Sequence, residues 1–174
     1  MNKLLLLISF WATCLISLAQ TPLTFSKEVK IETAKKGDLL KAAQPFIIYA
    51  FDSNSEVANN EDSIVVEGVG EMQYGTVLLY SCLVGKIHYK ARIVFKDGSV
   101  TYTMTDYTHE PMDKAGFNNN MGVLVAQMPD KLSEIGITGS NRKACYKHFF
   151  KTATPLCKSK FDTLFEKLVT ELYK

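Results

Sequence analysis

The sequence predicts an α+β fold, in which a curved antiparallel β-sheet carries two principal helices packed on one face. Apolar and polar residues alternate on both sides of Asp97-Gly98 within residues 86–109, which is typical of a β-hairpin. Apolar residues recur with helical spacing in residues 39–50 and again in residues 156–172. The chain of 174 residues is long enough for one domain with a core, which we expect to span residues 20–174.

The composition excludes several classes of protein. The chain has 20 basic and 18 acidic side chains, and its formal net charge is +2. This balance gives no electrostatic basis for binding a phosphate backbone, so we expect no nucleic-acid partner. Hydrophobic residues make up 47% of the chain, with only 10 glycines and 5 prolines, which excludes a disordered tail or a collagen-like repeat.

Residues 1–19 have the features of a secretory signal peptide. Lys3 is the positive start, residues 4–18 form an apolar run, and Ala19 ends a small-residue cleavage site. The alternative is an uncleaved membrane anchor, but the run is near the short limit for crossing about 30 Å of hydrocarbon. Lipidation of Cys14 is not expected, because its neighbours do not match a lipoprotein site. We therefore expect an exported chain without a stable transmembrane anchor after cleavage.

A strand and a helix are expected first in the mature chain. Alternation of apolar and polar residues over residues 25–31 predicts a strand with one buried face. The apolar stripe of residues 39–50 predicts a helix with Asp38 as its N-cap. Pro45 lies inside this stripe, so the helix should kink or end one turn early.

The next segments are less regular. Residues 52–61 are polar and predict a loop, and residues 64–69 predict a strand whose end is weakened by Gly68 and Gly70. Residues 75–85 are apolar and fit a strand or a helix equally well.

The Asp97-Gly98 turn fixes the register of the predicted hairpin. The apolar face should pair Phe95 with Val100, Ile93 with Tyr102, and Ala91 with Met104. The polar face should pair Arg92 with Thr103, Lys90 with Thr105, and His88 with Tyr107. Asp106 falls on the apolar side opposite Tyr89, where a buried carboxylate needs a partner.

The C-terminal part of the chain predicts an excursion and a long helix. Residues 110–142 should form an irregular excursion that contains a short helix from Pro129. A helical turn or two should follow over residues 142–150, and Thr154 and Pro155 should then open the last helix. Its apolar stripe should pack on the sheet. The stripe consists of Leu156, Phe161, Leu164, Phe165, Leu168, Val169 and Leu172.

Removal of the signal peptide would leave three cysteines, Cys82, Cys145 and Cys157. Export to an oxidising compartment permits a disulfide, and we expect Cys145 to pair with Cys157. Closing so short a loop would stabilise the fold by about 3 kcal/mol in the chain-entropy model. The alternative is three buried free thiols.

Three segments carry a resemblance to a known family: IVVEG at residues 64–68, IVFKDG at residues 93–98 and VTYTMTD at residues 100–106. With the order of strand, helix, antiparallel strands and long helix, they resemble domain-of-unknown-function family 4468 (DUF4468), whose fold is similar to that of the TATA-box-binding protein (TBP). The resemblance covers about residues 24–109 and the final helix. It implies a TBP-like fold and export by a Gram-negative bacterium, to the periplasm or cell envelope or outside the cell. The family has no assigned activity, so it implies no site residues.

No catalytic motif with a known mechanism is present. The sequence contains no phosphate-binding glycine loop, no Gly-x-Ser-x-Gly, no His-Glu-x-x-His and no Cys-x-x-Cys. His88, Tyr107 and His109 share one face in the predicted register, but a third strong metal ligand is missing. Cys145 and His148 are spaced for a thiolate and an imidazole, without an orienting carboxylate. We therefore expect no catalytic residue, no metal and no cofactor.

The polar face of the hairpin is the preferred candidate for binding. Its cations and hydroxyls suit an anionic or sugar-like ligand or an envelope protein, and the alternative is a solvated sheet face. The candidate ligand-binding residues are His88, Lys90, Arg92, Thr103, Thr105 and Tyr107, with Lys86, Lys96, Ser99 and Thr101 on the same face.

Three functions are consistent with the sequence. The leading hypothesis is a non-enzymatic binding or interaction module of the bacterial envelope. The second is an enzyme whose site is formed by the 110–142 excursion and the sheet edge. The third is a structural protein of the envelope. The absence of a convergent catalytic set of residues favours the first hypothesis.

Overall fold

The computed structural model describes residues 21–51, 55–75, 84–112 and 120–174. The predicted signal peptide, including Cys14, and most of the undecided segment 75–85 lie outside these residues. The elements are β1 (Phe25–Lys30), α1 (Lys36–Phe51), β2 (Glu56–Asn59), β3 (Ile64–Tyr74), β4 (Gly85–Lys96), β5 (Ser99–Pro111), β6 (Gly122–Val123), a 3-10 helix (Leu132–Ile135) and α2 (Ser140–Leu172).

The strands form one antiparallel sheet in the order β1-β5-β4-β3-β2, and β6 pairs with β5. Both helices pack on the same face of this sheet. Tyr102 of β5 makes an edge contact with Phe46 of α1, with ring centroids 5.8 Å apart, and stacks on Phe161 of α2 at 5.5 Å. The predicted α+β fold with two principal helices is therefore confirmed, and no described helix covers the other face.

The predicted hairpin forms around Asp97-Gly98, and Gly98 has the positive φ that this turn requires, 81°. From Lys96 to Lys90 the register is the predicted one. Beyond Lys90 the register shifts, so that His88 pairs with Thr108. The predicted pairing of His88 with Tyr107 is therefore wrong.

A β-bulge in β5 causes this shift. Asp106 has a φ of 55°, in the left-handed region, and β5 gains one residue relative to β4. One extra residue reverses the face that later side chains take, so Tyr107 and His109 point into the core, both fully buried. The carboxylate of Asp106 instead lies 3.1 Å from the ammonium of Lys90 on the outer side. The predicted position of Asp106 on the apolar face is wrong for the same reason.

Strand β3 is five residues longer than predicted. Its glycines do not end the strand, because they are the positions at which aromatic rings of the core approach the backbone. A Cβ on Gly68 would lie 2.6 Å from the ring of Phe51. A Cβ on Gly70 would lie 2.4 Å from Cζ of Tyr89. Both rings therefore pack directly against the backbone of β3.

Helix α1 begins at Lys36, so Asp38 lies in its first turn and is not the N-cap. The capping carboxylate comes from the hairpin turn. Asp97 accepts a hydrogen bond from the backbone N–H of Lys36 at 2.9 Å and another from Nζ of Lys35 at 3.1 Å. Pro45 lies inside the helix, which continues for six residues to Phe51 and does not end early.

Two segments that were expected to be irregular contain strands. Residues 52–61 include β2, whose four residues are all exposed and therefore show no alternation in sequence. The 110–142 excursion includes β6 and the 3-10 helix Leu132–Ile135, close to the expected short helix. Its residues Met121 and Leu124 are buried in the core, so the excursion completes one end of the sheet.

Helix α2 is continuous from Ser140 to Leu172, so the expected start at Thr154 and Pro155 is wrong. Pro155 lies inside the helix and is exposed. Buried residues on both sides of it hold the helix against the sheet. They are Tyr146, Phe149, Ala153, Cys157, Phe161, Leu164, Leu168 and Leu172. Leu156 is 39% exposed, so the inward residue of that turn is Cys157.

The expected disulfide between Cys145 and Cys157 is not formed. Cys145 is disulfide-bonded, whereas Cys157 is a free and buried thiol. The reason is the continuous helix, because twelve residues at 1.5 Å each separate the two positions by about 18 Å. A disulfide requires Cα atoms within about 7 Å.

Candidate functional site

The solvent-facing side of β3, β4 and β5 is the candidate binding surface, which we call the outer sheet face. It carries five of the six predicted binding residues. They are His88, Lys90 and Arg92 on β4 and Thr103 and Thr105 on β5, and Glu67 and Glu71 join them from β3. Alternation along three paired strands places these side chains on one surface.

The sixth predicted residue, Tyr107, does not belong to this surface. It is fully buried, its ring contacts Phe25 and Tyr89 with centroids 6.0 Å away in both cases, and its hydroxyl has no hydrogen-bond partner among the described residues. Burial raises the pKa of Tyr107 far above its usual range, so the phenol stays protonated. Tyr107 therefore stabilises the core, and a ligand on the outer sheet face does not reach it.

The three basic side chains among the candidate binding residues each have an acidic neighbour. Nε of Arg92 lies 3.2 Å from the carboxylate of Glu67 on β3. Nζ of Lys90 lies 3.1 Å from the carboxylate of Asp106 at the bulge. The side chain of His88 contacts Glu110. The surface therefore presents paired charges of both signs.

The pair of Lys86 and Glu71 marks one end of the surface. Nζ of Lys86 donates to both carboxylate oxygens of Glu71, at 2.9 and 3.0 Å. The hydrogen bond from Lys86 lowers the pKa of Glu71, and the same bond raises the pKa of Lys86. Both groups therefore stay charged near neutral pH.

The two threonine hydroxyls are already engaged with the neighbouring chain segment. Oγ1 of Thr103 lies 2.9 Å from Oγ of Ser26, and Oγ1 of Thr105 lies 2.9 Å from Oγ1 of Thr24. Each hydroxyl keeps further capacity to accept or donate. They form a hydroxyl row beside the charged rows of β3 and β4.

A cavity of about 410 Å³ opens on the outer sheet face between β2, β3 and β4. Its polar lining consists of Glu56, Glu67, Lys90, Arg92 and Thr105. The volume lies in the range of small-molecule sites, about 300–1,000 Å³. The lining offers carboxylates, cations and a hydroxyl at one place, which suits a ligand that carries both donors and acceptors.

Two other groups of residues were weighed from the sequence as a metal site or a nucleophile, and neither was expected to be one. His109 is buried and makes an edge contact with Phe149, with ring centroids 5.1 Å apart, so it does not share a face with His88. Cys145 is bonded in a disulfide, which removes the thiolate that a pair with His148 would need. Within the described residues, no group of three or more His, Cys, Asp and Glu is placed to hold a metal ion.

A helix that crosses a bilayer needs about 20 consecutive, predominantly apolar residues. Neither α1 nor α2 combines the length and the apolar character needed to cross a bilayer.

No protein-family model matches the sequence, and no curated protein matches it. Among solved structures, a TBP-like protein from Parabacteroides distasonis aligns over 84% of this chain and 92% of its own, at 18% identity and a TM-score of 0.51. The fold is TBP-like. A DUF4468 family protein from Bacteroides ovatus aligns over 87% of this chain and 86% of its own, at 11% identity and a TM-score of 0.46. The implied TBP-like fold is thus confirmed, and a solved DUF4468 protein is among the similar structures. Identities this low transfer no site residue.

The sequence located the cations of this TBP-like domain and missed their acidic partners. Glu67 and Glu71 alternate with inward residues of β3, so the pattern of period two does place them on one face. Which cations they meet depends on the register between β3 and β4. The undecided segment 75–85 connects these two strands, so the sequence provided no turn that sets this register.

Proposed function

We propose that this TBP-like domain is an exported, non-enzymatic binding module of the bacterial cell envelope, and that the outer sheet face holds its ligand. The observation that carries this proposal is the cavity of about 410 Å³ on the outer sheet face. It lies on the face that no described helix covers, and charged groups of both signs line it. Export is supported by the sequence of residues 1–19 alone.

The pairing of charges favours a sugar-like or zwitterionic ligand over a polyanion. Arg92 contacts Glu67 and Lys90 contacts Asp106, so an anion alone would compete with a carboxylate for each cation. A ligand that offers both donors and acceptors can satisfy both members of a pair, and no buried charge is left unpaired. Fragments of peptidoglycan and neutral oligosaccharides have this chemistry.

The test is a thermal-shift titration of the purified protein with peptidoglycan fragments, neutral oligosaccharides and inorganic phosphate. A ligand at one hundred times its dissociation constant adds about 2.7 kcal/mol, which is several degrees for a domain of this size. We expect a saturable shift with one of the first two classes. A shift with phosphate alone, or with none of the three, would contradict the proposed ligand chemistry.

Matched charge variants locate the site. The double variant Lys90→Ala/Arg92→Ala should abolish the shift, because it removes both cations of the cavity. The double variant Lys147→Ala/Lys151→Ala removes the same amount of charge from exposed positions of α2. This control variant should retain the thermal shift. An equal shift in both variants would refute the assignment to the outer sheet face.

Export has its own experiment. Full-length protein expressed in a Gram-negative host should be recovered from the periplasmic fraction, and N-terminal sequencing should begin at Gln20. Recovery from the cytoplasm with Met1 intact would refute export without affecting the assignment of the binding surface.

A further inference from the structure

A second cavity, of about 480 Å³, lies where the C-terminal end of α1 meets β3, β4 and α2. We call it the Tyr49 cleft. Strand β2 pairs with β3 only as far as Glu67, and the cleft opens beside the next residues, Val69 and Gly70. Lys90 and Arg92, on which the proposed function rests, do not line this cleft, although Val69 lines both cavities.

Aromatic and aliphatic side chains form one part of the wall of the Tyr49 cleft, and Glu71, His88 and Lys160 form its polar part. Both carboxylate oxygens of Glu71 accept hydrogen bonds from Lys86. Phe51, Tyr89 and Leu164 are buried and form its base. Tyr49 and Val69 stand at its rim, 57% and 56% exposed. Large apolar side chains that remain exposed around a concave apolar base are a feature of ligand sites.

The ring of Tyr49 is held in place from one side. Nζ of Lys167 lies 3.1 Å from the centroid of this ring, in a cation–π contact. The contact restrains an exposed ring at the rim of the cleft. A restrained aromatic ring is a surface on which a flat ligand can stack.

Lys160 supplies a charge that has no acidic partner in the described part of the chain. It lines the cleft from α2 and is half-buried, yet no described carboxylate lies within ion-pair distance of it. Lys158, two residues earlier on the same helix, differs because it pairs with Asp162. The ammonium of a half-buried lysine beside an apolar wall favours an anionic group on a bound ligand.

The hydroxyl of Tyr89 adds a donor to the same cleft. It makes no hydrogen bond to any described residue, and its ring rests on Gly70, where a Cβ would lie 2.4 Å from the hydroxyl oxygen. Burial raises the pKa of Tyr89 to about 12, so the hydroxyl remains protonated at neutral pH.

We propose that the Tyr49 cleft binds a small aromatic carboxylate, with its ring against Tyr49 and its carboxylate paired with Lys160. The combination of two tyrosine rings, an apolar base and one unpaired ammonium matches the two parts of such a ligand. The volume of about 480 Å³ accommodates one or two fused rings.

The experiment titrates the purified protein with 2-naphthoate and with its neutral counterpart 2-naphthalenemethanol, followed by ligand fluorescence. Lys160→Met keeps the length of the side chain and removes its charge. This change should weaken the binding of naphthoate by about tenfold, the usual size of a lost charge-assisted contact. The affinity for the alcohol should change by no more than about twofold. Lys151→Met, on the same helix and outside the cleft, should change neither affinity.

A second variant tests the ring contact. Tyr49→Ala should weaken the binding of both naphthoate and the alcohol, because both ligands stack on the same ring. Lys90→Ala/Arg92→Ala should bind naphthoate as the parent protein does, which separates this inference from the proposed function. The absence of saturable naphthoate binding, or a Lys160→Met variant with parental affinity, would overturn the proposal.

Discussion

Replacement of Tyr102 by phenylalanine should stabilise the protein. The side chain is fully buried, and its ring stacks on Phe161 with an interplanar angle of 8°. Its hydroxyl has no hydrogen-bond partner among the described residues. Burial raises the pKa of Tyr102 far above its usual range, so the group remains a neutral phenol whose donor is unsatisfied.

The expected magnitude follows from these contacts. An unsatisfied buried hydroxyl costs about 1–3 kcal/mol, and phenylalanine keeps both ring contacts of Tyr102. Tyr102→Phe should therefore raise the free energy of unfolding by about 1 kcal/mol or more, whereas Tyr102→Ala should lower it by about 3–5 kcal/mol. Tyr74→Phe is the matched control. The hydroxyl of Tyr74 is hydrogen-bonded to Thr152, so its removal should lower the free energy by about 1 kcal/mol.

Urea denaturation with fitted m-values measures all three variants. An unchanged m-value shows that the variant alters stability and leaves the extent of unfolding the same. For a domain of this size, about 1 kcal/mol corresponds to a change in Tm of about 2–4 °C. If Tyr102→Phe were destabilised as much as Tyr74→Phe, the hydroxyl of Tyr102 would have a partner, and the argument from an unsatisfied donor would be refuted.

Three further predictions concern single residues. Asp106→Val should lower stability by about 1–2 kcal/mol in thermal melts and Asp106→Gly should not, because only glycine tolerates a φ of 55° freely. The hydrogen bonds from the backbone N–H of Lys36 and from Lys35 lower the pKa of Asp97, so its stabilisation is present above about pH 4 and lost below. Asp97→Asn should therefore reduce the fall in Tm on acidification. The buried thiol of Cys157 has a pKa raised to about 12, so peptide mass spectrometry should find it unlabelled by iodoacetamide at pH 8 until urea is added.

The hairpin shows how far the sequence determines this fold. Alternation and the Asp97-Gly98 turn were sufficient to predict the register from Lys96 to Lys90. The bulge at Asp106 was not predictable, because aspartate enters the left-handed region without a glycine signal. This single residue changed the assignment of Tyr107 and His109 from the outer face to the core. Alternation alone therefore predicts the face of a side chain correctly only between the turn and the bulge.

Helix α2 shows how packing overrides local signals. Thr154 and Pro155 have the residue types of a helix start, which is why the sequence favoured two helices. In the structure, the hydroxyl of Thr154 bonds to the carbonyl of Phe150 at 2.8 Å, as in a helix interior. Buried Phe149 and Cys157 on either side hold both halves on the sheet, and this packing offsets the hydrogen bond that Pro155 cannot make.

The two proposed sites meet at Val69, which lines both cavities and is 56% exposed. Its neighbours Gly68 and Gly70 let Phe51 and Tyr89 pack against the strand, and the Tyr49 cleft reaches the outer sheet face beside Val69 at Glu71 and His88. A ligand in either cavity would contact the same exposed side chain. If both sites are occupied, binding at one should alter the affinity of the other, and the two effects must be equal by thermodynamic linkage. The short stretch of β3 around Val69 is therefore the part of the fold through which the two sites are expected to communicate.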